Sequence, residues 1–337
     1  MTEASTADIA APHSIAASHP LLYHYTREHA FRSIVLNNTL WTTSFEDLND
    51  AAEFRRMRAS LAEKLGERFI PAVEAFSGRG QWEADTVRRQ GGAEPGARKA
   101  GRRVMDALYK AAFGIPARER LHTCFVASFC SHAPDSYADK NGLLSQWRGY
   151  GGDGGFCLVF DTERLETLIE EEQRAYQYLF MRLGVAHYFK DRTSTLPSFD
   201  ELAAKAGDVL APALTGPEFS VDAMLEPFVT AAATTKHPGF EEEGEVRLIA
   251  MPLSLVGDER MKNAPGYRSM PIKSSFPCDI NARIKHHIRL FGPDRGALPV
   301  ARVIVGPARD QKRNAEIARE AVGRGVEVVC SETPLAG

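Results

Sequence analysis

Three short stretches combine residue types able to do chemistry. The first is Tyr23-His24-Tyr25-Thr26. Strand side chains alternate with period two, so an extended segment puts His24 and Thr26 on one face and Tyr23 and Tyr25 on the other. That presents a pair of hydrogen-bonding groups from a rigid element, although a histidine bonded inside a half-buried sheet has the same pattern. The second runs from Ser145 through Gln146, Trp147, Arg148, Gly149 and Tyr150 into Gly151, Gly152, Gly154 and Gly155. On a helix Trp147 and Tyr150 lie three apart and share a side, where aromatic planes line a pocket or face a core. The glycines form neither a Walker loop nor a GxGxxG element. The third is Glu243-Gly244-Glu245-Val246-Arg247. Period two aligns Glu243, Glu245 and Arg247 in steps of roughly 7 Å. Such a line either protects a sheet edge or orders two neighbouring carboxylates with a guanidinium.

Other chemistries find no support. His122, Cys124, Cys130 and His132 invite a metal reading, but on a strand positions 124 and 130 are about 20 Å apart at ~3.3 Å per residue, whereas zinc ligands converge within ~2.3 Å of one ion. No metal is predicted, and the cysteines read as small core residues. GxSxG is absent and no cysteine pairs with a base. The 41 Lys and Arg against 44 Asp and Glu leave a net charge of −3, so no global field recruits nucleic acid or an acidic membrane, while a local basic site stays compatible. Arg55-Arg56 and Arg88-Arg89 read as solvated helix or loop charge. Five cysteines without a CxxC pair predict a reducing cytoplasm. No apolar run reaches the ~18 to 20 residues of a membrane span.

The elements that must position these groups follow from periodicity. Residues 1–20 lack the pattern of a secretory signal and read as a flexible tail. LLYHYT predicts a strand, REHAFRSIVL a helix, Asn37-Asn38 a turn and LWTTSF a second strand, with Asn49 or Asp50 capping a helix near Ala51. Residues 51–76 and 98–113 predict helices separated by a Gly-rich loop with at most one helical turn. LHTCFVASFC predicts a strand; LLSQWRGY, a short helix; FCLVFD, a strand; 162–180, a helix; VAHYFK, a strand; and 199–234, helices broken at Pro217 and Pro227. EVRLIAMPL, HHIRLF and PVARVIVGP predict further strands, and the chain closes as helix, glycine stop and strand. Strands scattered without a regular βαβ rhythm predict α+β: one elaborated domain over 21–334, with helical insertions about 51–115 and 199–234.

In this order, YHYT, LNDAAEF, SFC, SQWRGYGGDGGFCLVF, KHPGFEEEGEVRLI and ARVIVGP resemble, over about residues 21–330, a bacterial family known only as domain of unknown function 2971. The chain is also similar, more distantly, to ADP-ribosyltransferase-like domains of the His-Tyr-Glu branch. YHYT resembles their histidine strand, and Glu243-x-Glu245 stands where the catalytic glutamate would. The middle element is Tyr150, Trp147 or the Ser128-Phe129 strand.

That second resemblance implies a split β-sheet core and NAD as substrate, with no metal. The nicotinamide-ribose bond would break, and ADP-ribose would pass to an unknown protein or nucleic-acid acceptor, as in a toxin or phage-defence effector. NAD hydrolysis by the same residues and a non-enzymatic ligand-binding or interaction protein are the alternatives. Glu245 would stabilise the oxocarbenium charge, and Glu243 would orient or deprotonate the acceptor. His24 would bind the adenosine ribose with Thr26 beside it, Tyr25 belonging to the same strand. Tyr150 or Trp147 would meet nicotinamide, and Arg247 and Arg148 would meet carboxylates or phosphate. Asn49, Asp50 and Glu53 cap a helix or border the same cleft. Neither membrane nor oligomeric state enters this reading.

Overall fold

The computed structural model describes residues 14–113, 122–152, 154–189, 197–205, 207–216, 219–263, 267–280 and 282–334. In chain order it contains β1 (Leu21–Thr26), α1 (Glu28–Asn37), β2 (Thr39–Ser44), α2 (Asn49–Ser77), α3 (Gln81–Arg89), α4 (Ala93–Phe113), β3 (Phe125–Cys130), α5 (Tyr137–Asn141), α6 (Leu144–Gln146), β4 (Phe156–Asp161), α7 (Thr162–Ala175), β5 (Tyr178–Val185), β6 (His187–Tyr188), α8 (Pro197–Ala204), α9 (Gly207–Thr215), α10 (Asp222–Thr234), β7 (Thr235–Lys236), β8 (Glu245–Pro252), α11 (Leu255–Met261), β9 (Phe276–Ile280), β10 (Arg283–Phe291), β11 (Val300–Val305), α12 (Gln311–Val322) and β12 (Glu327–Cys330). The protein is α+β, with parallel and antiparallel strand pairs. Among the described residues no helix is long and apolar enough to cross a membrane.

Two compact units emerge, each built from separated pieces of chain. Among the described residues, the first takes those up to Asn38, Cys130–Glu170 and those from Arg295 on; the second takes Thr39–Phe129 and Glu171–Asp294. In the first, the strands run β12-β11-β4-β1, and Cys130 at the end of β3 pairs with Tyr23. One face of this sheet buries Tyr23, Tyr25, Cys157, Val159 and Ile304 around Trp147. The other carries the ring of Phe156, stacked on Phe31 of α1 at 4.3 Å. Residues ahead of β1 are also held, with Ser14 Oγ and the Ile15 amide donating to the Glu166 carboxylate.

In the second unit β2 lies between β3 and β10, β9 adds to β10, and β8 pairs with β5 and β3. Its core joins apolar faces of α2, α4, α9 and α10 to Val126, Phe180, Ile249 and Met251. The stretch between α2 and α4 corrects the expectation of a loop. It contains α3, where Gln81 and Arg88 bond to Asp85 one turn away and Thr86 and Val87 are buried, so local pairing and one apolar contact overcome the flanking glycines. The helix expected to run to 180 stops at Ala175, and β5 follows. Leu48 occupies the N-cap of α2 and makes no side-chain cap bond, so neither Asn49 nor Asp50 is the cap.

Where α2 and α4 cross, glycine is a steric requirement. A Cβ on Gly101 would stand 2.5 Å from the Gly66 nitrogen and 2.6 Å from its Cα. Gly to Ala ordinarily stabilises a helix interior by up to about 1 kcal/mol. Here Gly101→Ala has the opposite sign: overpacking is expected to cost about 1 to 3 kcal/mol, read as a lower urea midpoint at unchanged slope.

Candidate functional site

The first unit positions the histidine strand and the aromatic segment. His24 pairs with Leu158 of β4 and is half-buried, and Thr26 is buried at the end of the same strand. On the opposite face Tyr23 Oη donates to Asp139 Oδ1 at 2.6 Å, and the Arg302 guanidinium donates to the same oxygen at 2.5 Å. Burial opposes ionisation of Asp139, but the bonds from Tyr23 and Arg302 outweigh it and hold the carboxyl below its ordinary range. Tyr25 Oη lies 3.0 Å from His132 Nε2 and accepts the Leu143 amide proton at 2.8 Å. Burial pushes both tyrosines' pKa values up and lowers that of His132 to about 4, so at neutral pH all three are uncharged.

The Trp147–Gly151 segment is a π-type turn following α6. This corrects the expectation that Trp147 and Tyr150 share a side, because a π turn changes the angular step between residues. The Trp147 ring points inward, packs edge-on against Tyr25 at 4.8 Å and donates its indole N–H to the Asn141 carbonyl. Gly142, at φ 75°, makes room for it, since a Cβ there would stand 2.6 Å from the indole. Tyr150 and Arg148 are exposed, Tyr150 at 56%.

Beside this turn is a cavity of about 360 Å³, lined by Arg27, Glu28 and His29 at the start of α1, by Gly151, Gly152 and Gly154, and by Arg313 and Asn314 in the first turn of α12. Arg27, at the N-cap of α1, makes no side-chain cap bond, which leaves the first-turn amides of that helix for a ligand or solvent. Glycine is required at the rim: Gly152 and Gly154 have φ of 63° and 96°, and a Cβ on Gly154 would collide with the Asn314 amide. Glu28 pairs with Arg32 at 2.9 Å and stands 3.9 Å from Arg313, so it offsets part of the positive charge. The glycines were readable in the sequence, but Arg27, Arg313 and Asn314 were not. An arginine directly ahead of a helix was the one local signal.

The second unit contains the carboxylates. Glu243 lies in a 3-10 turn, Pro238–Glu243, ahead of β8, so the expected line of three residues on one strand face is corrected: only Glu245 and Arg247 share β8. All eight residues of that strand are buried, so it is no charged edge. Glu245 is 4% exposed and receives Arg247 Nε at 2.9 Å, Arg247 Nη2 at 3.1 Å and Lys236 Nζ at 2.5 Å. Lys236 also bonds Glu243 at 2.7 Å, and Arg247 Nη1 donates to the Ala233 carbonyl at 2.6 Å. The Glu245 amide donates to Tyr188 Oη. Burial works against ionisation of Glu245, yet Arg247 and Lys236 prevail and lower its pKa. Lys236 is likewise held in its charged form, burial being outweighed by Glu245 and Glu243.

The structure thus joins Tyr25 to Trp147 in one unit, and Glu243, Glu245 and Arg247 through Lys236 in the other. The side chains of Asn49, Asp50 and Glu53 lie outside the described residues. Among the described residues no three His, Cys, Asp or Glu side chains are grouped to hold a metal ion.

Against this geometry, the family model described as protein of unknown function DUF2971 matches residues 146–248. Residues 146–248 are similar to that family. The match begins at Gln146, one residue before the buried tryptophan, and ends at Leu248, one residue after Arg247. It is shorter than the span over which the motif order resembles that family. Comparison with curated proteins and with solved structures returned no match.

The buried charges set the response to substitution and to pH. Removing one partner of a buried ion pair costs about 3 to 5 kcal/mol, so Glu245→Gln, which strands Arg247 and Lys236, is expected to lower the urea midpoint strongly. Asp139 and Glu245 have lowered pKa values, so the stability they contribute is present above the ordinary carboxylate range and disappears on acidification through their folded values. His132 falls from 6.5 to about 4, so the unfolded chain takes up its proton first and stability declines as pH drops from 6.5 towards 4. His19, His187 and His287 act in the same sense. In chemical denaturation across that pH range, His132→Gln is expected to flatten the decline without abolishing it.

Proposed function

We propose that the protein binds a phosphate-bearing nucleotide, with NAD as substrate, and that it belongs to the ADP-ribosyltransferase-like enzymes with their split β-sheet core. The observation that carries the binding is the glycine-rimmed cavity with Arg27 and Arg313 at its wall. A pyrophosphate needs positive charge, backbone amides and close backbone approach. Two guanidiniums, a helix start and two glycines held at positive φ supply these features.

The reaction follows the resemblance. The C–N bond between ribose and nicotinamide breaks, its electron pair leaves with nicotinamide, and C1′ of the ribose becomes oxocarbenium-like. An ionised, oriented carboxylate stabilises that charge. Glu245 has this character, being held charged between Arg247 and Lys236. Glu243, bonded to Lys236, orients the acceptor or takes its proton. A protein or nucleic-acid nucleophile gives ADP-ribosyl transfer, and water gives NAD hydrolysis. His24 and Thr26 take the adenosine ribose. Because the Trp147 ring is buried, the exposed Tyr150 is the ring for nicotinamide.

The second reading, a non-enzymatic nucleotide-binding protein, is favoured by one observation: both oxygens of Glu245 are already engaged and the residue is 4% exposed.

Titration calorimetry with NAD and release of nicotinamide from labelled NAD separate these readings. The enzyme reading expects NAD binding that falls at least tenfold in Arg27→Glu, and turnover lost in Glu245→Gln at a temperature where circular dichroism shows the variant folded. Binding with no turnover in the unaltered protein supports the binding protein. No NAD binding at millimolar ligand rejects both.

A further inference from the structure

One sheet face in the second unit has a composition that neither the cavity nor the buried carboxylates use. In the antiparallel register Trp41 lies opposite Arg289 and Thr43 opposite His287, while across β10 His287 lies opposite Phe276 and Lys285 opposite Cys278. Directly opposed residues point to the same side of a sheet. Trp41, Phe276, His287, Arg289, Lys285 and Arg283 therefore share one face. The alternate face holds Leu40, Thr42, Ile288 and Leu290, all at most 1% exposed, so the core lies on that side and the aromatic and basic residues are on the other.

The side chains form a preassembled platform. Trp41 and Phe276 meet edge-on at 5.0 Å, and the Arg289 guanidinium carbon stands 4.6 Å from the Phe276 ring centre and 5.7 Å from that of Trp41. Trp41 keeps 36% of its surface exposed, and Arg289 and Arg283 are exposed. Beneath them the His287 ring is 5.7 Å from Trp41 and 5.9 Å from Phe276. His287 is 3% exposed, and its Nε2 has no hydrogen-bond partner among the described residues. Three cations share this face with no carboxylate among the described residues of β2, β9 and β10 that point the same way. In a chain of net charge −3, that separation of sign is local.

We infer that this face binds single-stranded nucleic acid, with bases stacking on Trp41, Phe276 and the Arg289 plane and phosphates meeting Arg283 and Lys285. Exposed aromatic rings on strands flanked by cations suit unpaired bases, whose faces are accessible only when the strand is not in a duplex. An acidic peptide would meet the cations but leave the rings and the Arg289 plane without stacking partners, and a phosphate alone would not call for the rings. The inference is independent of NAD turnover.

The test is fluorescence anisotropy of the full chain with labelled oligothymidylate and oligouridylate of about 12 nucleotides, and with a duplex of the same length. The two single strands distinguish DNA from RNA as the source of the ligand; binding of either supports the inference. The duplex is expected to bind more weakly. Trp41→Ala is expected to weaken single-strand binding about 5- to 100-fold, with Trp41→Phe restoring most of it. Arg283→Gln should reduce the slope of log affinity against log salt by about 0.7 for each phosphate that is no longer neutralised. Thermal melts establish that each variant is folded. Absence of single-strand binding at tens of micromolar protein would overturn the inference. So would duplex binding as tight as single-strand binding, or folded Trp41→Ala and Arg283→Gln variants that bind like the unaltered protein.

Discussion

A buried ion does not tolerate an empty neighbourhood, and the contacts around Glu245 follow from that constraint. Once a carboxylate, a guanidinium and an ammonium are taken out of water, each must find its counterpart and fill its remaining hydrogen-bonding capacity. Arg247 reaches Glu245 with two nitrogens and the carbonyl of Ala233 with a third, which ties β8 to the end of α10. Lys236 reaches both Glu245 and Glu243, which ties β7 to the turn before β8. The Tyr188 hydroxyl closes the remaining side at the Glu245 amide. Two-residue strands such as β6 and β7 have little pairing of their own, so their arrangement depends on this cluster.

The first unit solves a related problem with fewer formal charges. Asp139 is satisfied by a tyrosine, an arginine and the Asp135 amide, while a neutral histidine sits against a second tyrosine. The C-terminal segment is held by the same region, with Ser331 and the Glu332 amide bonded to Asn141. The bonds that fix the tyrosine strand therefore also fix the segment around Trp147 and the strands that follow.

Short runs rich in β-branched, aromatic and other apolar residues, such as β1, β4, β8 and β11, were legible in the sequence because that composition favours a strand locally. The helix before β2 and its left-handed end at Asn38 were legible for the same local reason. The short strand β9 was not: FPCDI is only five residues long and carries a proline and an aspartate, and it exists by pairing with β10. At the candidate sites, residue types could be read but not their surroundings. The Glu-x-Glu-x-Arg spacing suggested one charged strand face, whereas the partner that organises it, Lys236, lies seven residues before Glu243, at the head of the KHPGFEEEGEVRLI stretch, where no periodicity points it at the carboxylates. Arg302 with Asp139, and Arg313 with Arg27, are joined across long sequence separations that no periodicity encodes.

The dispersed origin of the first unit has a kinetic meaning. β4 pairs with β1 on one side and with β11 on the other, and these partners are far apart along the chain. Each such pairing must close a long loop before any contact energy returns, which places this sheet among slowly assembling topologies. During synthesis, β1 and β4 leave the ribosome well before β11 and β12 exist, so the tyrosine strand spends that interval beside a sheet edge without its closing partners. Assembly of this unit is set by the last strands to appear, while the second unit can order its helical core earlier.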